Sequence, residues 1–167
     1  MVYSTMVNSR QRLALNKGRF ALIDKNDFEC ANKFRWTAHW DGWNWYAIRH
    51  ARVNNKWTTI YLHRFLMDAS PGTQIDHADG NGLNCTRDNM RMASNYQNQQ
   101  NQKRQANNSS GVSGVCWYKP YQKWLARIGA NGKKIHLGYF ESKADAKRAR
   151  DEAAIRYHGE FARLNDA

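Results

Sequence analysis

The chain has 167 residues, enough for one ordinary domain or two to three small modules and too few for a large multidomain enzyme. Its 26 Lys and Arg against 14 Asp and Glu leave a net +12 with histidines neutral, which points to a polyanionic partner. Aromatic residues at 13%, seven tryptophans among them, exclude wholesale disorder.

No apolar run reaches 18 residues, so no membrane-spanning helix is expected, and Met1–Arg12 lacks the apolar block of a signal peptide. The expectation is a cytoplasmic protein. Cys30, Cys85 and Cys116 are far apart and form no C-x-x-C pair, so they are expected to be ordinary reduced thiols. Charge is uneven along the chain: net +6 over residues 1–62, +1 over 63–105 and +5 over 106–167. The nearly neutral middle holds the densest Asp, Asn and His cluster, as a cation site between two phosphate-binding surfaces would.

The first segment predicts a small sheet. Phe20–Ile23 is a short apolar run ended by Asp24, Asn26 and Asp27, and about two helical turns follow over Phe28–Phe34. Strands are expected at Trp36–Trp40, Trp45–Val53 and Trp57–Leu62, joined by turns at Asp41-Gly42 and Asn54-Asn55. Trp36, Trp40, Trp43, Trp45 and Trp57 are expected in the core, because aromatics dominate the cores of small domains; base stacking is the alternative. Arg10, Arg12, Lys17 and Arg19 either contact phosphate or solvate a flexible arm.

The middle segment carries the chemistry, in Ile75-Asp76-His77-Ala78-Asp79-Gly80-Asn81-Gly82 and on to Asn89-Met90-Arg91 and Asn98. Adjacent Asp76 and His77 leave opposite faces of an ideal strand, unless the strand ends there and twists both toward one pocket; the Gly/Asn-rich loop can supply that twist. Phosphodiester hydrolysis needs a water, a base to deprotonate it and a cation to take up charge. Histidine suits the base, and a carboxylate with an amide oxygen suits Mg²⁺. Asp79 and Asn81 are expected to bond within their own loop. His63, opening a short helix over Arg64-Phe65-Leu66-Met67, is expected to be structural or to contact phosphate.

Together, Leu62-His63-Arg64, Ile75-Asp76-His77-x-Asp79-Gly80-Asn81, Asn89-x-Arg91 and Asn98-x-x-Asn101 resemble, in order and spacing, the HNH endonucleases with their ββα-metal motif, and particularly the phage homing type. Ile23-Asp24 and Arg35-Trp36 resemble that branch as well. The resemblance implies His77 as general base, Asp76 and Asn98 as ligands of one Mg²⁺ (or Mn²⁺), and Asn89 as the asparagine that pins the loop. Asn98 stands where many members have His, which favours an oxygen-loving cation over zinc. Arg64, Arg91, Lys103 and Arg104 around this constellation are candidate DNA contacts.

A polar stretch follows, Gln97 to Gly111. Its first half could continue a helix opened by Ser94, leaving a linker at 106–111. Beyond it, Gly114–Tyr118, Lys123–Ile128 and Lys134–Gly138 predict three antiparallel strands with an Asn131-Gly132 hairpin turn. Ser142-x-x-Asp145 caps a helix with Ala146, Ala149, Ala153 and Tyr157 at helical spacing up to Gly159. Alternation turns Ala126, Ile128, Ile135 and Leu137 toward the helix, and Cys116, Tyr118, Lys123, Arg127, Lys134 and His136 outward. Trp124-x-Ala126-x-Ile128, Leu137-Gly138-x-Phe140, Ala146, Ala153-Ala154 and His158-Gly159-x-Phe161-Ala162-x-Leu164-Asn165 resemble an AP2-type DNA-binding domain. That implies duplex DNA on the outer sheet face, although Cys116 and Tyr118 stand where plant-type members usually have arginines.

The expected architecture is α+β: an HNH domain at 1–105 (β-rich region 1–60, ββα-metal motif about 61–105), a linker at 106–111 and an AP2-like domain at 112–167, monomeric on DNA. The expected function is a DNA endonuclease, in host cytoplasm if phage-encoded. A non-catalytic DNA-binding protein with a vestigial nuclease fold is the main alternative, and an RNA-binding module a third.

Overall fold

Alternating aromatic and β-branched runs separated by Gly and Asn turns make strands too short to bury much alone, and the chain assembles them into several small sheets with helices beside them. The computed structural model describes residues 9–101 and 108–165. The fold is α+β, with four helices and four small sheets among the described residues. Two compact units divide between Ser94 and Asn95. None of the described helices is long and apolar enough to cross a membrane.

In the first unit, β1 (Arg10–Ala14) pairs antiparallel with β2 (Phe20–Asp24). The sequence reading missed β1 and expected Arg10 and Arg12 either to contact phosphate or to solvate a flexible arm. Instead Arg10 pairs with Asp88 at 2.8 Å, the Arg12 guanidinium covers Phe20, and that of Arg19 covers Trp45 at 3.8 Å from the ring centre. Helix α1 (Lys25–Asn32) follows β2 directly, three residues earlier than expected. The reason lies far along the chain: the Asp27 carboxylate receives the Arg87 guanidinium at 2.8 and 2.9 Å, and Asp24 accepts the Arg87 backbone N–H at 2.7 Å.

Strands β3 (Thr37–Trp40), β4 (Trp45–Val53) and β5 (Lys56–Tyr61) form an antiparallel sheet. Asn54 and Asn55, with φ of 48° and 63°, make the tight turn that matches strand twist. The core placement of the tryptophans holds for Trp36, which is buried and donates to the Ala31 carbonyl at 2.9 Å. It fails for Trp43 and Trp57, 80% and 76% exposed, in the β3–β4 turn and near the far end of the β4–β5 hairpin, and for Trp40, the last residue of β3. That core gathers Leu13, Ile23, Trp36, Leu62, Ile75 and Cys85. Helix α2 (Leu62–Leu66) leads to β6 (Gln74–His77), the two-residue β7 (Asn84–Cys85) beside β2, and β8 (Met90–Ala93), antiparallel to β6.

The second unit contains α3 (Asn95–Gln100), then β9 (Val115–Tyr118), β10 (Lys123–Ala130) and β11 (Lys133–Phe140) as one antiparallel sheet, and α4 (Lys143–His158). Asn131 and Gly132 turn with positive φ as their types allow. The Ser142 hydroxyl accepts the Asp145 N–H at 3.1 Å, capping α4. Buried Ala126, Ile128, Ala146, Ala153 and Ala154 join sheet to helix. Tyr157 is exposed, not in the stripe; buried Arg150 takes a place on the inner face, its guanidinium bonded to Asp151 and to the Arg163 carbonyl.

Candidate functional site

The β6–β8 hairpin builds the site from backbone pairing upward. Asp76 lies opposite Arg91 and His77 opposite Met90. Past His77 the pairing ends with Ala78 N–H donating to the Asn89 carbonyl at 2.9 Å, and Gly80 N–H turns back to the His77 carbonyl at 2.7 Å. Both side chains are enclosed, Asp76 at 4% exposure and His77 at 6%, and both residues lie within β6.

Asn89 organises the loop that follows. Its Oδ1 accepts the Asp79 N–H at 3.0 Å, and its Nδ2 donates to Asp79 Oδ1 at 3.0 Å and to the Asn84 carbonyl at 2.8 Å. Asp79 accepts the Asn81 N–H at 2.8 Å and the Asn84 amide at 2.8 Å, and Asn81 accepts the Leu83 N–H at 3.1 Å. The loop is thus closed upon its own polar groups, with Asp79 and Asn81 bonding within it as their side-chain lengths favour. Asn44 Nδ2 donates to the Gly80 carbonyl at 2.9 Å and fastens the loop to the β3–β4 turn. At Gly82 a Cβ would stand 2.5 Å from Tyr46 Cε1 and 2.6 Å from the Trp45 carbonyl, so glycine lets the loop lie against Tyr46.

His77 sits in an aromatic enclosure. The His63 ring meets it edge-on at 5.1 Å between centres, and Tyr46 stands 6.1 Å away. Burial pushes His77 down to about 4, although Asp79 and Asp76 pull the other way. Burial, with the neighbouring His77 and Arg64 charges, pushes His63 down to about 3. Both imidazoles are therefore neutral at pH 7, and a neutral imidazole can accept a proton. His63, buried beside His77, is the neighbour whose closeness the sequence order did not reveal.

Asp76 is held by Arg91, whose Nε and Nη2 donate to its Oδ2 at 2.8 and 2.6 Å. A carboxylate is a hard oxygen donor that suits Mg²⁺ better than zinc. Among the described residues there is no cluster of three or more His, Cys, Asp or Glu that could hold a metal; a cation on Asp76 would meet the Arg91 guanidinium as its competitor. Asn98 lies on α3, in the second unit. The Arg64 guanidinium donates to the carbonyls of Thr73, Ala69 and Ser70 at 2.5, 3.3 and 2.8 Å and braces that loop. Lys103 and Arg104 lie outside the described residues, as does part of the expected linker.

In the second unit, pairing sets the outer face of the sheet. Tyr118 lies opposite Lys123, Cys116 opposite Leu125, and Arg127 opposite His136. Arg127, Lys134 and His136 are exposed, while Tyr118, Lys123 and Cys116 are half-buried; Lys123 forms an ion pair with Glu141 at 2.8 Å. The sequence reading missed Leu125, Tyr121 and Tyr139 on this face. Leu125 could have been found from the alternation that placed Arg127. Tyr139 could not, because pairing shifts from Ala126–Gly138 to Arg127–His136, so Leu137 is an extra residue that breaks strict alternation.

Comparison with known proteins gives one relationship. Over 96 residues the chain is 38% identical to Protein 3.8 of Escherichia phage T7, an alignment covering 56% of this chain and 76% of the phage protein. No protein-family model matches the chain, and no solved structure does.

Proposed function

We propose that this chain, which belongs to the family of Escherichia phage T7 Protein 3.8, is a DNA endonuclease of the HNH type, of the phage homing kind, guided by an AP2-like DNA reader. It acts as a monomer in the cytoplasm of a host cell. The observation that carries the reading is a buried His77 at the end of β6, followed by a loop that Asn89 closes on Asp79. Strand, closed loop and strand agree with the first two parts of a ββα-metal motif.

In this reading His77 takes the proton of the attacking water, and burial keeps it unprotonated and ready to do so. Asn89 and Asp79 fix the backbone that follows His77 and so fix its direction. Asp76 would hold the divalent cation, with Asn98 as the second ligand that the family resemblance implies, and Mg²⁺ or Mn²⁺ bound there would supply positive charge to a phosphodiester under attack. The resemblance implies 5′-phosphate and 3′-hydroxyl products. Arg127, Lys134, His136, Tyr118 and Lys123 approach duplex DNA from the outer sheet face. Arg64 and Arg91 already engage protein oxygens, so for them DNA contact would compete with those bonds; Lys103 and Arg104 stand with them as proposed contacts.

The test is incubation of the full chain with phage duplex DNA, with and without Mg²⁺. The expected result is Mg²⁺-dependent cleavage that His77→Ala lowers by about 100-fold or more, with DNA binding within a few-fold. Loss of binding together with cleavage, in a folded variant, assigns His77 to the interface instead. One observation favours the rival reading of a non-catalytic DNA-binding protein: the Asp76–Arg91 ion pair occupies the carboxylate that a cation needs. A wild-type chain that binds duplex and cuts nothing with either cation decides for that rival. Preference for single-stranded RNA decides for an RNA-binding module.

A further inference from the structure

We propose that the outer face of the β9–β10–β11 sheet selects thymine-bearing duplex DNA, by contact between an apolar strip on that face and thymine 5-methyl groups in the major groove. The inference rests on the DNA-reading role proposed above and adds what is read.

The strip follows from strand register. Leu125 on the central strand lies opposite Cys116 on one side and Tyr139 on the other, so one row across all three strands is apolar or aromatic. Tyr118, two residues beyond Cys116, and Tyr121, in the turn that follows β9, join it. The rings of Tyr118, Tyr121 and Tyr139 lie 4.8 to 5.2 Å apart, and His136 lies tilted against Tyr139 at 4.8 Å between ring centres. Tyr121 remains well exposed. Rings that support one another in this way lose little freedom on binding, unlike a scatter of long charged side chains.

Two things identify the occupant. Charge is the first: Arg127 and Lys134 flank the strip on its own face, and Lys119 and Lys133 are exposed at the ends of the strands, which suits a polyanion. Shape is the second. Three strands at about 4.8 Å spacing span roughly 10 Å, close to the ~12 Å width of the B-DNA major groove. Within that groove the thymine methyl is the one apolar group the bases present. Leu125, at the centre of the strip, has no donor or acceptor, so pressed on another base edge it would strip water from that edge and return no hydrogen bond. Arg127 and Lys134 remain on the face as side chains able to contact guanine beside the strip.

The decisive measurement compares affinity of the full chain, without divalent cation so that no DNA is cut, for one duplex made with thymidine and the same duplex made with deoxyuridine. Only the methyl groups differ. The expected result is binding weaker by about three- to fivefold for each contacted methyl. Leu125→Asn should weaken thymidine duplex and leave deoxyuridine duplex nearly unchanged. Tyr121→Ser, at an exposed position outside the strands, should do the same in part and guards against a misfolded Leu125 variant. Equal, tight binding of both duplexes overturns this inference and leaves the DNA reading intact. Failure to bind either duplex overturns the DNA reading itself.

Discussion

Asn89 reaches back across its hairpin to Asp79, accepting that residue's N–H and donating to its carboxylate, each at 3.0 Å. The nine residues between them are thereby bridged by one side chain placed beside the β8 strand. The direction of His77 depends on this closure, because Ala78 N–H is paired to the backbone carbonyl of the same Asn89.

Asn89→Ala should therefore affect stability and chemistry together. The variant leaves the Asp79 N–H and the Asn84 carbonyl without the amide, at a cost of about 1–3 kcal/mol for the donor and acceptor left behind. Cleavage should fall at temperatures where the variant is still folded, with DNA binding retained. Urea titration beside a cleavage assay checks this; normal cleavage by a destabilised variant would separate the loop from the active site.

Arg91→Met should divide two roles of Asp76. Removing the guanidinium leaves a buried carboxylate without its cation and should destabilise the unit by about 3 kcal/mol or more. If Asp76 is a cation ligand, the same variant should be rescued by divalent ions, because a ligand that binds only the folded state stabilises it in proportion to its affinity. The measurement is the melting temperature with and without millimolar Mg²⁺, wild type against variant. No larger Mg²⁺ effect in the variant would argue that Asp76 is a structural ion-pair partner.

The two histidines predict an acid sensitivity. His63 and His77 have folded-state values of about 3 and 4 against an ordinary 6.5, so the unfolded chain binds the extra protons first. Their contribution to stability is complete above pH 6.5 and is lost as pH falls from 6.5 toward 4 and then 3. At pH 5 each ring should cost on the order of 2 kcal/mol. His63→Phe, which keeps an aromatic ring against His77, should make the urea midpoint of the first unit less dependent on pH between 7 and 5. An unchanged slope would mean that His63 takes up its proton in the folded state as freely as in the unfolded one.

Much of the fold could be read locally. Trp45–Val53 and its Asn54-Asn55 turn follow the expected lines, as do the Asn131-Gly132 hairpin and the Ser142 cap. In each case the determining preference acts over two to nine neighbouring residues. The Asp76-His77 loop was legible for the same reason, since Gly and Asn announce the turn within a few positions. Helix α1 begins three residues before the expected start: Asn26 and Asp27 carry turn preferences, yet Asp27 suits the first helical turn and its carboxylate is held there by Arg87.

By itself, the sequence determined the secondary-structure menu, the excess of positive charge and the short motif that brings Asp, His and Asn into one hairpin. Tertiary structure decided which of those groups meet. It set His63 edge-on to His77 across fourteen residues, paired Asp76 with Arg91 instead of leaving it open, drew Trp36 inside while Trp43 and Trp57 stayed in solvent, and aligned Tyr139 with Leu125 through one extra residue in β11. The physical reason is the same throughout. Backbone propensity acts between neighbours, whereas burial, ion pairing and strand register depend on which distant segments come to lie side by side.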